Sequence, residues 1–244
     1  MSHRPFANAL SDVHRDNQTE PLYACDGSNC MEHPVEEFYF TPFPARDDTY
    51  ASWLESQLSG PLLDIGAGVG KHALYFQKRF ETTAIEVDEL LVDVMRERGV
   101  TDARIGDLFE LETQFDSESF HSVLCYGTQM GLVKSMAGLK KRLAAIADIT
   151  TQNGTFVFDG YDPTLEATSD LLGYRRDSTS GLGFRVFSFE YGGIQGKSLL
   201  FRLFSPERVR EACQETVWQV TDLWRPDDST TSHYLIALEK DGQE

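Results

Sequence analysis

The stretch Leu62-Leu63-Asp64-Ile65-Gly66-Ala67-Gly68-Val69-Gly70 constrains this chain more than any other. Leu62 to Ile65 read as a short buried strand. The glycines then turn the chain into a helix with Ala73, Leu74, Phe76, Gln77 and Phe80 at helical spacing. Strand, glycine loop and helix in that order belong to a parallel α/β sheet, with the loop at the carboxyl end of its strand. Glycine there lets backbone approach a ligand where a Cβ would collide. A pyrophosphate-binding loop needs G-x-G-x-x-G, but here the glycines fall at 66, 68 and 70 and position 71 is Lys. Asp64, two residues before the first glycine, repels a pyrophosphate and attracts an ammonium group.

The alternation continues downstream. Thr82 to Val87, Asp102 to Ile105, Ser119 to Tyr126 and Thr155 to Asp159 read as strands, the last after a turn at Asn153-Gly154. Asp47 to Leu58, Glu89 to Arg98 and Lys134 to Ile149 read as helices, the second stopped by Gly99. Such a series predicts a doubly wound, mostly parallel sheet. The last third differs. Phe184 to Tyr191 and Ser198 to Phe204 flank a glycine-rich turn as a hairpin, Ser205-Pro206-Glu207 opens a helix, and Trp218 to Trp224 and Tyr234 to Glu239 close the sheet antiparallel around a turn at Pro226 to Thr230. Residues 1–41 are predicted to be an extension, partly flexible or capping. Residues 42–244 are predicted to be one domain with an inserted hairpin at 183–204 that serves as core, substrate cover or oligomer contact. Phe38-Tyr39-Phe40 and Phe43 are candidates to close over a ligand.

Three acids end consecutive strands: Asp64, Glu86 and Asp107. This places them in a row along the crevice where α/β sheets bind ligands. A carboxylate at Glu86 is suited to accept both hydroxyls of a ribose, and one at Asp107 to read an adenine amino group.

On these residues the chain resembles the class I S-adenosylmethionine-dependent methyltransferases, over about residues 45–240, in the group that modifies small molecules. The resemblance implies a seven-stranded Rossmann-like sheet with an antiparallel C-terminal strand, here with an added β-hairpin, and S-adenosylmethionine as cofactor. It implies that Asp64, Gly66, Ala67, Gly68 and Gly70 lie beside the methionine part of the cofactor. Glu86 then holds the ribose, Asp107 contacts the adenine, and Val87 and Leu108 pack on its faces. Tyr126 to Thr128 line the methyl-transfer site. His121 departs from the family's usual Asp at a position that is structural.

Methyl transfer from a sulfonium is an in-line displacement that needs mainly proximity and alignment, and a base only where the acceptor arrives protonated. Catalytic candidates at the strand ends are Tyr126, Gln129, Asp159 and Tyr161, with Asp162 beside them; for the two aspartates, capping the loop at Gly160 to Pro163 competes with chemistry. The Asn/Asp-Pro-Pro-Tyr tetrad of amide- and adenine-directed enzymes is absent, since Cys125-Tyr126-Gly127-Thr128 stands there. The rival readings are a non-catalytic sensor that binds the same nucleoside, and an RNA methyltransferase of the same fold.

Composition narrows the partners. Lys and Arg total 22 against 39 Asp and Glu, a net charge of −17, which disfavours a nucleic-acid partner. Acids spread evenly, with basic residues leaning to Arg, resemble proteins of salt-loving cells, where surface charge reports the solvent. No apolar run approaches the ~20 residues of a membrane span, and no signal peptide is evident, so a cytoplasmic monomer or homodimer is expected. Cys125 and Cys213 read as core residues. Cys25, Cys30 and His33 lack a fourth ligand at zinc-site spacing and are expected to be reduced thiols in a flexible segment, with no metal.

Overall fold

The computed structural model describes residues 4–44, 49–227 and 230–241. Helix α1 (Pro5–His14) begins with a proline whose missing N–H falls among donors the first turn leaves unpaired anyway. It leads into a hairpin of β1 (Tyr23–Asp26) and β2 (Asn29–Glu32), turned at Gly27 with φ +59°. Cys25 and Cys30 face each other across this hairpin and form a disulfide, so neither is a reduced thiol in a flexible segment. One turn of π-helix at Glu36–Phe40 follows, then α2 (Thr49–Gln57). The start of the helix expected from Asp47 lies outside the described residues.

The alternating region follows as β3 (Leu62–Ile65), α3 (Ala73–Phe76), β4 (Thr82–Glu86), α4 (Glu89–Glu97), β5 (Ala103–Ile105), α5 (Leu111–Gln114), β6 (Phe120–Cys125), α6 (Met136–Ile149) and β7 (Thr150–Tyr161). Asp88 caps α4 by accepting the Leu90 amide, and Ser135 caps α6 by accepting that of Gly138. The turn expected at Asn153-Gly154 is instead a bulge inside β7. Asn153 has φ +57°, and the register against β6 slips there, because Thr150 and Thr151 already pair as strand. The chain ends with β8 (Tyr174–Arg176), β9 (Leu182–Tyr191), β10 (Ile194–Gln195), β11 (Leu199–Phe204), α7 (Pro206–Cys213), β12 (Trp218–Trp224) and β13 (His233–Lys240).

Seven strands form one sheet in the order β12-β13-β7-β6-β3-β4-β5, in which β13 runs antiparallel to both neighbours and the rest are parallel to one another. Strand side chains alternate between its faces. Leu63, Val123, Phe156 and Phe158 enter the core under α6, while Leu62, Leu124 and Val157 enter the one under α2 and α3. Each fully buried side chain of this size contributes about 1.5–3 kcal/mol.

The expected hairpin is real but larger than an insertion. β9 is the spine of a second, six-stranded antiparallel sheet, bonded to β8, β10 and β11 and also to β1. The N-terminal segment thus supplies two of its strands. Helix α1 packs with Tyr191 on one side and Leu91 and Val94 of α4 on the other, and Arg4–Asp88 and Arg15–Glu97 ion pairs, both at 2.8 Å, flank that contact. Among the described residues, no helix is long and apolar enough to cross a membrane.

Candidate active site

Because β3 to β7 are parallel, their carboxyl ends share one edge of the sheet, and the polar residues that end them meet there. The glycine loop starts this edge. The amides of Gly66 and Ala67 both donate to the Ile85 carbonyl, at 2.9 and 3.1 Å, which ties the loop to β4. All three glycines have positive φ, but their surroundings differ. A Cβ on Gly70 would lie 2.6 Å from Val100 Cγ2 and one on Gly66 2.9 Å from Gln129 Cγ, whereas at Gly68 the nearest atom is Tyr39 Cδ1 at 4.0 Å. Gly68 is itself buried, but a Cβ there would meet only the Tyr39 ring, at ordinary contact distance. The loop is held from outside by Lys71, whose Nζ donates to the Phe38 carbonyl, and by Arg98, which donates to that of Val69 and lies over the Phe40 ring.

Asp64 is 1% exposed, and its Oδ2 has no hydrogen-bond partner among the described residues. Burial pushes its carboxyl up to about 7; the Ala73 amide opposes the shift and the nearby Glu86 charge adds to it. Glu86 accepts from the amides of Val87 at 2.8 Å and Gly68 at 3.1 Å, yet burial still pushes its carboxyl up from its ordinary value. Val87, beside it, is 62% exposed. Asp107 accepts the Phe109 amide at 2.9 Å and so starts the 3-10 turn Leu108–Glu110. That turn sends Leu108 into the core, 6% exposed, and leaves Phe109 at the surface, 45% exposed.

The ends of β6 and β7 form the other half. Asp159 accepts the Thr128 amide at 2.7 Å with one carboxylate oxygen and lies 2.9 Å from His233 Nε2 with the other. The first bond holds Thr128 in the left-handed region at φ +60°. His233 opens β13, directly opposite Tyr161 in the register, and its ring is 5.4 Å from that of Tyr161 and 6.1 Å from that of Tyr126. Tyr126 also packs on His72, which bonds the Tyr50 hydroxyl at 2.7 Å and is pushed down to about 3 by burial, with Lys71 adding to the shift. Gln129 lies over Gly66. Asp162 is a loop cap: it accepts the amide and hydroxyl of Thr164 and pairs with Arg225 at 2.6 Å.

The second sheet and the N-terminal segment close this edge from above. Tyr39 packs on Phe6 and receives or donates a 2.9 Å hydrogen bond with His33 Nε2. His33 is thus engaged by Tyr39, and Cys25 and Cys30 are bonded to each other. Arg185, from β9, acts electrostatically on Tyr39, Tyr161 and His33. Tyr39, Tyr126 and Tyr161 are hemmed in enough that burial raises all three phenols, yet each keeps solvent-accessible surface. Side chains surrounded on most sides and open on one line a cleft.

Residues 63–158, from β3 to the end of β7, match the family model described as a methyltransferase domain. Residues 63–158 thus form a methyltransferase domain, and the chain has the class I S-adenosylmethionine-dependent methyltransferase fold. It shares this fold with a SAM-dependent methyltransferase from Bacteroides fragilis solved with S-adenosyl-L-homocysteine, at a TM-score of 0.75 and 21% identity over 97% of this chain and 94% of that one. It also resembles an S-adenosylmethionine-dependent methyltransferase from Clostridium acetobutylicum (TM-score 0.56, 16% identity, 74% of this chain and 84% of that chain). A glycopeptide N-methyltransferase complexed with S-adenosylmethionine is similar at a TM-score of 0.56 and 15% identity, over 78% and 85% of the two chains. No curated protein matches the sequence. Within the methyltransferase fold, the edge brings together Asp64, Gly68, Glu86 and Val87 on one side and Tyr126, Asp159 and Tyr161 on the other. His233 and Arg185 are the residues that sequence reasoning missed.

Proposed function

We propose that the protein transfers a methyl group from S-adenosylmethionine to a small-molecule acceptor held between the edge of the large sheet and the second sheet. The observation that carries this reading is the pairing of an orphaned buried carboxylate oxygen on Asp64 with the uncrowded Cβ direction of Gly68, one loop apart. An oxygen with no partner among the described residues suits an ammonium group, and a glycine whose Cβ would meet only the Tyr39 ring at 4.0 Å suits a ligand lying against its backbone. The site therefore fits the cofactor. Asp64, Gly66, Ala67, Gly68 and Gly70 would hold the methionine part, Glu86 the ribose, and Asp107, exposed Val87 and the Leu108 backbone the adenine. Bound there, the cofactor supplies an electrophilic methyl group on a sulfonium.

The chain's own contribution is alignment and exclusion of water. Tyr126, Gln129 and Tyr161 border the cleft at the ends of β6 and β7 and would position the acceptor. Asp159 fixes the His233 imidazole, and that pair is suited to take a proton from an acceptor that arrives protonated. The enclosure by β9 and the segment around Tyr39 favours a small acceptor over RNA, which needs an open, basic approach.

Calorimetric titration with S-adenosylhomocysteine, in low salt and in molar potassium chloride, tests the cofactor half. Saturable binding to the wild type that is weakened at least tenfold in Glu86→Ala is expected. A folded sample that binds in neither buffer would overturn the proposal.

A further inference from the structure

Among the described residues, the two arginines less than a tenth exposed each have an acid, and so does partly buried Arg225, whereas Arg98, outside the glycine loop, is engaged by the Val69 carbonyl and the Phe40 ring. Arg202 meets Asp177 at 2.8 Å, Arg142 meets Glu112 at 3.4 Å, and partly buried Arg225 meets Asp162 at 2.6 Å. Arg185 does not. Its Nε donates to the Leu172 carbonyl at 2.9 Å and its guanidinium lies 4.5 Å from the centre of the Phe187 ring. Those two contacts orient the plane and leave the two terminal nitrogens, one edge of the fork, without an acid among the described residues. The groups that act on its charge are Tyr161 and Tyr39, both phenols that burial keeps neutral. His33, on the same wall, is pushed down to about 4 by burial and by Arg185 itself, so it too is neutral. Of these four groups only Arg185 is a cation, while Asp159 acts on Tyr161 and Glu86 on Tyr39 from the edge of the large sheet.

Such an arrangement is costly without a ligand. Taking a guanidinium largely out of water without a counter-charge is unfavourable, and burial accordingly lowers its proton affinity. In a chain of net charge −17, acids to pair with it are not in short supply. The free edge carries two parallel N–H directions, which match the two oxygens of a carboxylate better than a point anion.

We propose that Arg185 anchors a carboxylate on the methyl acceptor, with the Tyr39 and Tyr161 hydroxyls bordering the same subsite. This deepens the methyltransferase reading of the cleft and rests on it: the acceptor class is an anionic small molecule, bound at one end by Arg185 and presenting its nucleophilic atom toward the edge of the large sheet.

The test follows the Arg185 Nε–H resonance in 15N-labelled full-length protein, assigned by its loss in Arg185→Lys, in low-chloride buffer. The probes are acetate, glycine and benzoate against acetamide, glycinamide and benzamide, with phenyl phosphate as a further arm. At least one acid is expected to shift the resonance and to bind tenfold or more tightly than its amide, and this ratio is expected to fall to about one in Arg185→Gln and to an intermediate value in Arg185→Lys. S-adenosylhomocysteine affinity should stay within threefold in both variants. No acid-over-amide preference in the wild type, a preference that survives Arg185→Gln, or a response to phenyl phosphate alone would overturn the assignment. Wild-type protein that prefers the acid but does not bind S-adenosylhomocysteine would instead sink the methyltransferase reading and leave an Arg185 anion site.

Discussion

The imidazole Nε2 of His233 lies 2.9 Å from Asp159 Oδ2, joining the first residue of β13, the one antiparallel strand of the large sheet, to the carboxyl-end part of β7 beside it. The same carboxylate accepts the Thr128 amide, so one buried acid serves both the imidazole and the backbone of the loop after β6. His233→Gln leaves the loop bond intact and removes the imidazole. With an acceptor in hand, kcat is expected to fall roughly 10²-fold while S-adenosylhomocysteine affinity is kept. Asp159→Ala should in addition cost about 1–2 kcal/mol of stability, read by urea unfolding, because it leaves a part-buried amide and imidazole without their acceptor.

Asp64 makes cofactor binding and stability oppose each other with pH. Its carboxyl takes up a proton near 7 in the native state against 3.8 ordinarily. The native state thus holds the extra proton between those values, and the stability it lends is full below 3.8 and gone by about 7. An ammonium ligand needs the ionised form, so affinity for S-adenosylhomocysteine should rise as pH climbs from 6 to 8. Asp64→Asn is expected to flatten both trends and to bind the ligand at least tenfold more weakly at pH 8. An affinity that falls with rising pH would contradict the assigned role.

The three loop glycines should separate by what they face. Gly70→Ala drives a methyl into Val100 at a positive φ, and a loss of about 3 kcal/mol is expected. Gly68→Ala meets nothing closer than Tyr39, so its cost is the backbone conformation alone, about 1 kcal/mol. Its ligand affinity should nonetheless fall tenfold or more. Thermal melts with and without S-adenosylhomocysteine would read both quantities.

The Cys25–Cys30 bridge closes a loop with a sequence separation of 5. So small a loop removes little entropy from the unfolded chain, and reduction or a double Ser replacement is expected to cost about 2 kcal/mol. Denaturant titrations with and without reductant measure it directly.

The row of acids and the glycine loop were legible because each is local: a strand, its next few residues and a helix all lie within one short window. Leu108 was legible only as a position, since the 3-10 turn that Asp107 caps decides which of Leu108 and Phe109 points inward. His233 was hidden for a different reason. It reaches the edge only because β13 runs opposite to β7, and nothing near it in sequence marks that end of a strand as the one that counts. Arg185 and Tyr39 depend on a longer reach still. Their shared wall exists because β1 pairs with β9, a contact between a polar N-terminal stretch of weak periodicity and a strand near the end of the chain. The same pairing explains why the hairpin read as an insertion and the N-terminal segment as an appendage, when together they are one sheet.

That sheet also sets a timetable for the chain in the cell. The Tyr191 hydroxyl donates to Asp12 at 2.9 Å across a separation of 179 residues. At synthesis rates of about 5–20 residues per second, the first helix waits roughly 10–40 s for its partner to leave the ribosome. The nucleoside-facing half of the molecule can be assembled in that interval. The wall that would choose the acceptor needs β9, made after β3 to β7, so a nascent chain has the glycine loop and its row of acids before it has that wall.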